Sequence, residues 1–307
     1  MSIRSKVLAS CFLVFALNFV PGSSDGASLI CQNIRKLDGV KKWAIVLNYR
    51  PETHPIDIDD LRSLDMVVLD PDTHPDFSPF KRKHPVIAYL SVGEAANYRF
   101  FWEDIKNKDW VLGENPNWSG AFFVDIRNPE WRKLLIEEVI PKIVEQKFRG
   151  LFLDTLDTAQ YLESIDPEQY AGSKDAMVSL VADIHEAYPE LMLISNNGFS
   201  ILRKVAPYLS GMIAEGINMM IDFENNGYKP VPPEDRALKI NILKEIRRLY
   251  GLNVFNIDYV SQTDRKSIRK VKRESQRLGF NSYVAEKNLT EFYNQHDKHE
   301  KRKNHKN

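Results

Sequence analysis

The stretch Gly150-Leu151-Phe152-Leu153-Asp154-Thr155-Leu156-Asp157 decides the reading of this chain. A β-prone apolar run follows a glycine and ends on two carboxylates. Apolar at consecutive positions, it has the pattern of a strand covered on both faces, as in a parallel sheet under helices. Four other runs end the same way: MVVLD at 66–70, AYLSVGE at 88–94, GMIAE at 211–215 and NVFNID at 253–258. One strand closing on an acid is common. A series of them, separated by helix-like segments, points to a barrel with an acidic pocket at the carboxyl ends of its strands.

Working outward, apolar runs rich in Val, Ile, Leu, Phe and Tyr predict strands at 43–48, 66–69, 85–91, 150–153, 191–195, 211–214, 253–257 and 281–285. Helical patterns predict helices over 130–146, 175–187, 200–209, 234–250 and 263–278. Asn128-Pro129 signals the start of the first, and Gly251 and Gly279 the ends of the last two. Eight strands with intervening helices over about 260 residues suit a single-domain α/β fold of the (β/α)8 TIM-barrel type. A doubly wound open sheet is the competing architecture. It lacks the Gly-rich turn after the first strand that its nucleotide-binding version needs. Residues 98–125 read as a long insertion rich in Trp and Asn, of the length that covers or shapes a site.

The expected boundaries are a signal peptide at 1–24, a lead-in at 25–40, the barrel at 41–290 and a polar basic tail at 291–307. Arg4 and Lys6 precede an apolar stretch too short for a typical membrane span, and small residues follow at 22–24. The implied location is secreted or periplasmic, with a retained signal anchor as the alternative. Loss of Arg4 and Lys6 from the 42 basic residues, against 42 acidic ones, leaves a mature charge of about −2. No global basic field argues for nucleic acid, and no stable membrane insertion is expected after cleavage. Of two cysteines, Cys11 lies in the signal, so Cys31 has no internal disulfide partner in the mature chain, which reads as a monomer. Asn117-Trp118-Ser119 and Asn288-Leu289-Thr290 have the sequon pattern.

Glycosidic bonds are usually cleaved by two carboxyl groups, one a nucleophile or base and the other a proton donor. In a barrel they come from different strand ends that face one pocket. Asp154 and Glu215 are the best pair, each directly after an apolar run; the bland alternative for each is a structural acid. Asp70, Tyr89, Glu94, Arg99, Asp125, Asp157, Asn196, Asn197, Asp258 and Tyr259 are the candidate substrate contacts. Ring hydroxyls need paired donors and acceptors of these types, although some of the group would only orient one another. No metal or cofactor is expected: H-E-x-x-H, C-x-x-C, G-x-S-x-G and Walker-type strings are all missing. A hard cation between Asp154 and Asp157 is the weaker alternative.

The segments VIAYLSVGEAANYR (86–99), VDIRNPEWR (124–132), GLFLDTLD (150–157), SNNGF (195–199), MIAEG (212–216) and NIDYV (256–260) resemble the endo-α-1,4-polygalactosaminidase-like glycoside hydrolases of family 114. The resemblance runs in order over nearly the whole mature chain. It implies a (β/α)8 barrel, export, and hydrolysis of α-1,4-linked galactosamine polymers. It also implies Asp154 as nucleophile and Glu215 as acid/base. The chain departs from the family where Val46-Leu47-Asn48-Tyr49 ends the first strand, which touches one substrate contact and not the chemistry. The expected function is therefore a secreted glycoside hydrolase acting on α-linked amino-galactose polysaccharide, retaining in mechanism; the alternatives are a non-catalytic carbohydrate-binding barrel and a protein-interaction module using the Trp-rich insertion.

Overall fold

The structure is a computed structural model that describes residues 31–47, 49–52, 56, 58–78 and 84–289. The signal segment and the basic tail lie outside these residues. Eight strands form one parallel sheet in sequence order: β1 Trp43–Val46, β2 Met66–Leu69, β3 Val86–Ser91, β4 Gly150–Asp154, β5 Met192–Asn196, β6 Gly211–Glu215, β7 Asn253–Tyr259 and β8 Asn281–Ala285. Every pairing is parallel, and helices cross between the later strands, so the sheet curls into a (β/α)8 barrel of one domain. No ladder joins β1 to β8 among the described residues. That seam is bridged by Trp43 Nε1 donating to the Asn281 carbonyl (3.0 Å) and by Leu47 N donating to the Leu289 carbonyl (2.7 Å). The Trp43 ring also packs on Phe255 and Tyr283.

The strands are apolar because both faces are covered. All four residues of β1 and of β2, and the first four of β4, are buried. Full burial of each Val, Leu, Ile or Phe contributes about 1.5–3 kcal/mol, which is why the polar residues collect at the strand ends. Gly150 opens β4 for a steric reason. A Cβ there would run into the Met192 carbonyl of β5 and sit 2.8 Å from the Met192 side chain, so only glycine lets the two strands pair this closely.

The helices depart from simple periodicity at their prolines. The helix expected over 130–146 is Pro129–Leu134, then one π turn at Leu135–Val139, then Ile140–Glu145. Pro141 has no N–H to return to the preceding turn, and the helix widens before it. Pro207 likewise converts the end of the helix expected over 200–209 into a 3-10 turn, Ala206–Tyr208, after Leu202–Val205. The insertion is not irregular. Glu94–Ala96, Ala121–Val124 and Val111–Glu114 form a small antiparallel sheet, with the middle segment at its centre. A hairpin of Met219–Asp222 and Gly227–Pro230 follows β6. Within the insertion Trp110 is buried and Trp102 packs on Phe122, whereas Trp118 is exposed. The interaction-patch alternative therefore keeps one tryptophan of three.

Candidate active site

The strand ends open into a cleft of about 850 Å³. Asp154, the last residue of β4, is set in place by three donors. Tyr89 Oη on β3 donates to Oδ2 at 2.8 Å. Thr155 N donates to Oδ1 at 2.8 Å, and Asn196 Nδ2, the end of β5, donates to the same oxygen at 2.7 Å. The turn that makes this possible is unusual. Thr155 holds φ +63°, a left-handed conformation costly for a β-branched residue. Its hydroxyl locks the turn, donating to the Asp154 carbonyl (2.6 Å) while accepting from Gly93 N (2.8 Å).

Glu215 ends β6. The same Asn196 Nδ2 that touches Asp154 donates to Glu215 Oε1 at 2.9 Å. An amide carries two N–H donors, so one side chain bridges two carboxyl groups. The two bonds, 2.7 and 2.9 Å, set an upper limit of about 5.6 Å between the bridged oxygens. Tyr259, at the end of β7, hydrogen-bonds the Glu215 carboxyl, and Asn197 Oδ1 accepts from Glu215 N at 2.9 Å. Burial, and then the charge of Asp154, raise the Glu215 pKa to about 7. The hydrogen bonds and the nearby Lys239 ammonium pull the other way. The site thus pairs a carboxylate fixed by three donors with a carboxyl that holds its proton near neutrality.

Of the other sequence candidates, Asp70, Tyr89, Glu94, Arg99, Asn196 and Tyr259 line the cleft. Asp70 and Arg99 are joined by two bonds of 2.8 Å, and Arg99 also holds Asp72 at 2.6 Å. The guanidinium lies over the Tyr89 ring, 5.7 Å from its centroid. Asp125, Asp157, Asn197 and Asp258 do not line the cleft. Asp125 clamps Arg127, with bonds of 2.8 and 2.7 Å. Asp157, exposed on the loop after β4, accepts from Gly198 N at 3.1 Å. Asp258 is fully buried and accepts from the backbone of Ile217, Asn218 and Met219, so it anchors the turn after β6. Among the described residues no group of three or more His, Cys, Asp or Glu is arranged to hold a metal.

Two contributors escaped the reading of strand ends. Lys239, on the helix Pro233–Tyr250, donates to the carbonyls of Glu215 and Gly216 at 3.1 Å each, behind the acid. Asn115, directly after the insertion strand Val111–Glu114, donates to Glu94 Oε1 at 3.0 Å. Neither stands in a motif; the only signal is the fold that brings them in.

The curated relatives are uncharacterised proteins. One from Thermotoga maritima is 27% identical over 188 residues, covering 57% of this chain and 55% of the relative. One from Methanocaldococcus jannaschii is 28% identical over 217 residues, covering 65% and 60%. The chain thus spans somewhat over half the length of these relatives. Among solved structures, the glycoside hydrolase domain of PelA from Pseudomonas aeruginosa is 26% identical with a TM-score of 0.71, covering 82% of this chain and 97% of that one. Aspergillus fumigatus Ega3, solved in complex with galactosamine, shares the fold at 16% identity and a TM-score of 0.59, covering 82% and 93%. The model of glycoside-hydrolase family GH114 matches residues 30–301, and the chain belongs to that family.

Proposed function

We propose that the protein is a secreted glycoside hydrolase that cleaves α-linked amino-galactose polysaccharide with retention of configuration. Asp154 is the nucleophile and Glu215 the acid/base. The observation that carries this reading is the single Asn196 amide nitrogen bonded to both carboxyl groups. Retaining glycosidases hold their carboxyls ~5–5.5 Å apart, whereas inverting enzymes leave ~6.5–9.5 Å for a water. The limit of about 5.6 Å between the bridged oxygens favours the first arrangement.

In the first step Asp154 attacks the anomeric carbon as Glu215 gives its proton to the leaving glycosidic oxygen. A covalent glycosyl ester forms and the C–O bond breaks. In the second step Glu215, now ionised, takes a proton from water, whose oxygen displaces Asp154 from the same carbon. Export is supported by the charged, apolar and small-residue pattern of residues 1–24. The amino-sugar substrate is supported by family membership and by the galactosamine complex of Ega3.

The test is a reducing-end assay on α-1,4-linked galactosamine oligomers and partly deacetylated galactosaminogalactan. Wild type should release reducing ends, and the anomeric proton of the first product should show retention by NMR. Asp154→Asn and Glu215→Gln should each lower the rate by about 10³-fold or more. Full activity in either variant overturns the assignment. A binding protein without turnover would hold the glycan in all three and release no ends.

A further inference from the structure

Given Asp154 and Glu215 as the catalytic pair, we propose that Glu94 is the specificity-determining residue. It forms an ion pair with the free ammonium group of an amino sugar seated beside that pair, and so selects deacetylated over N-acetylated residues.

Glu94 differs from Asp70, Asp72, Asp154 and Glu215 in what it touches, and from Glu286, which accepts from Gln262 N at 2.8 Å at a half-buried position, in being buried. Asp70 and Asp72 are both ion-paired with Arg99. Asp154 and Glu215 share Asn196. Glu94 is 8% exposed, and the hydrogen bonds to its side chain come from neutral groups on one oxygen: Asn115 Nδ2 at 3.0 Å and Thr158 Oγ1 at 3.2 Å, both to Oε1. Three of the four cations of the cleft lining are engaged elsewhere, and the fourth, Arg50, makes no ion pair with Glu94 among the described residues. Arg99 holds the two aspartates, Lys142 lies over the Phe100 ring, and Lys287 lies over Trp118 and Phe223.

The position is rigid. Glu94 pairs with Phe123 in the insertion sheet, its carbonyl accepts from Ser91 Oγ at 2.7 Å, and Gly93 beside it is clamped to the Thr155 turn that carries Asp154. A carboxylate in this place carries two penalties, loss of water and the nearby charge of Asp154. Together, burial first, they raise its pKa to about 6. A sugar hydroxyl would satisfy an oxygen but leave the charge; an ammonium removes both penalties through charge-assisted hydrogen bonds. An N-acetyl group offers no cation and brings extra bulk against the same side chain.

The experiment compares wild type with Glu94→Gln on a matched pair of α-1,4-galactosamine oligomers, one with free amines and one fully N-acetylated. Glu94→Gln should lower kcat/KM for the free-amine oligomer by about 10–100-fold, chiefly through KM. It should leave the N-acetylated oligomer unchanged or improved, and the wild-type preference should fade with added salt. Equal losses on both oligomers, or no loss on either, overturn the proposal. If Glu94→Gln fails to fold, Glu94→Asp carries the test. It retains the charge one methylene further back and should lose only on the free-amine oligomer. If wild type cleaves neither oligomer, the hydrolase reading fails separately. Calorimetric binding of the free-amine oligomer then decides: weaker binding by Glu94→Gln supports the role, and equal or absent binding removes it.

Discussion

Of the three hydrogen bonds on Asp154, the one from Tyr89 can be removed singly. Tyr89 Oη takes one oxygen alone, while Thr155 N and Asn196 share the other. Tyr89→Phe removes one donor and keeps the ring that Arg99 covers. A hydrogen bond to a charged group contributes about 1.5–3 kcal/mol, so kcat should fall ~10–100-fold with little change in KM, read by steady-state kinetics. An unchanged kcat would show that Tyr89 has no part in setting the proposed nucleophile. Glu215 makes a second prediction. Its pKa is raised to about 7, and in the proposed role it must hold a proton to protonate the leaving oxygen. The pH profile of kcat/KM should therefore decline on the alkaline side with a midpoint near 7. An ordinary carboxyl would place that decline two to three pH units lower.

At the scale of elements, the helix Pro233–Tyr250 reaches into the site from outside the barrel. Lys239 ties down the Glu215–Gly216 carbonyls, and its charge favours ionised Glu215. The groups facing Lys239 are Glu215 on β6, Asp157 after β4, Asp258 on β7 and Asp235 on its own helix; Asp154 and Tyr259 complete the surroundings of Glu215. Lys239→Met should move the alkaline decline of kcat/KM upward, because ionised Glu215 then loses a nearby cation. Lys239→Arg should restore it, and a fall in rate with no shift of the profile would mark a purely structural lysine. Within β4, Gly150→Ala should cost several kcal/mol, about 2–4, in urea denaturation, since the Met192 backbone leaves no room for a methyl. The same elements explain what could be read beforehand. Eight parallel strands were legible because burial on both faces leaves an unbroken apolar run with a polar end. Roles at those ends were less legible: Asp70, Asp154 and Asp258 have the same pattern, but one is taken by Arg99 and one holds a backbone turn, and only packing separates them. The strands of the insertion, three or four residues long around Gly113 and Asn115, leave too short a pattern to distinguish them from a loop. Lys239 has the local context of any lysine on a helix, so its role depends on tertiary structure alone.

For the whole molecule, gathering carboxyls at one rim sets a conflict between site and stability. Glu94 and Glu215 have pKa values raised to about 6 and about 7, while the unfolded chain loses those protons near pH ~4.3. Between ~4.3 and 7 these two groups therefore bind more protons in the folded protein than in the unfolded one, and their contribution to stability falls as pH rises through that window. The outer ion pairs act in the opposite sense. Asp125 is held below its usual pKa by Arg127, and Asp175 by Lys204, so their contribution is present above the unfolded value and lost as pH falls from there through the lower folded value. Glu215 keeps partial contact with solvent at the cleft floor, so its share is on the order of 1–3 kcal/mol. Glu215→Gln removes the charge that must otherwise be accommodated beside Asp154. It should leave stability near pH 4.5 within about 1 kcal/mol of wild type, yet exceed wild type at pH 8 by that 1–3 kcal/mol. Urea denaturation at the two pH values measures the difference. Curves that coincide at pH 8 would mean that ionised Glu215 costs the fold nothing, and the proton-holding acid proposed for the first step would lose its physical basis.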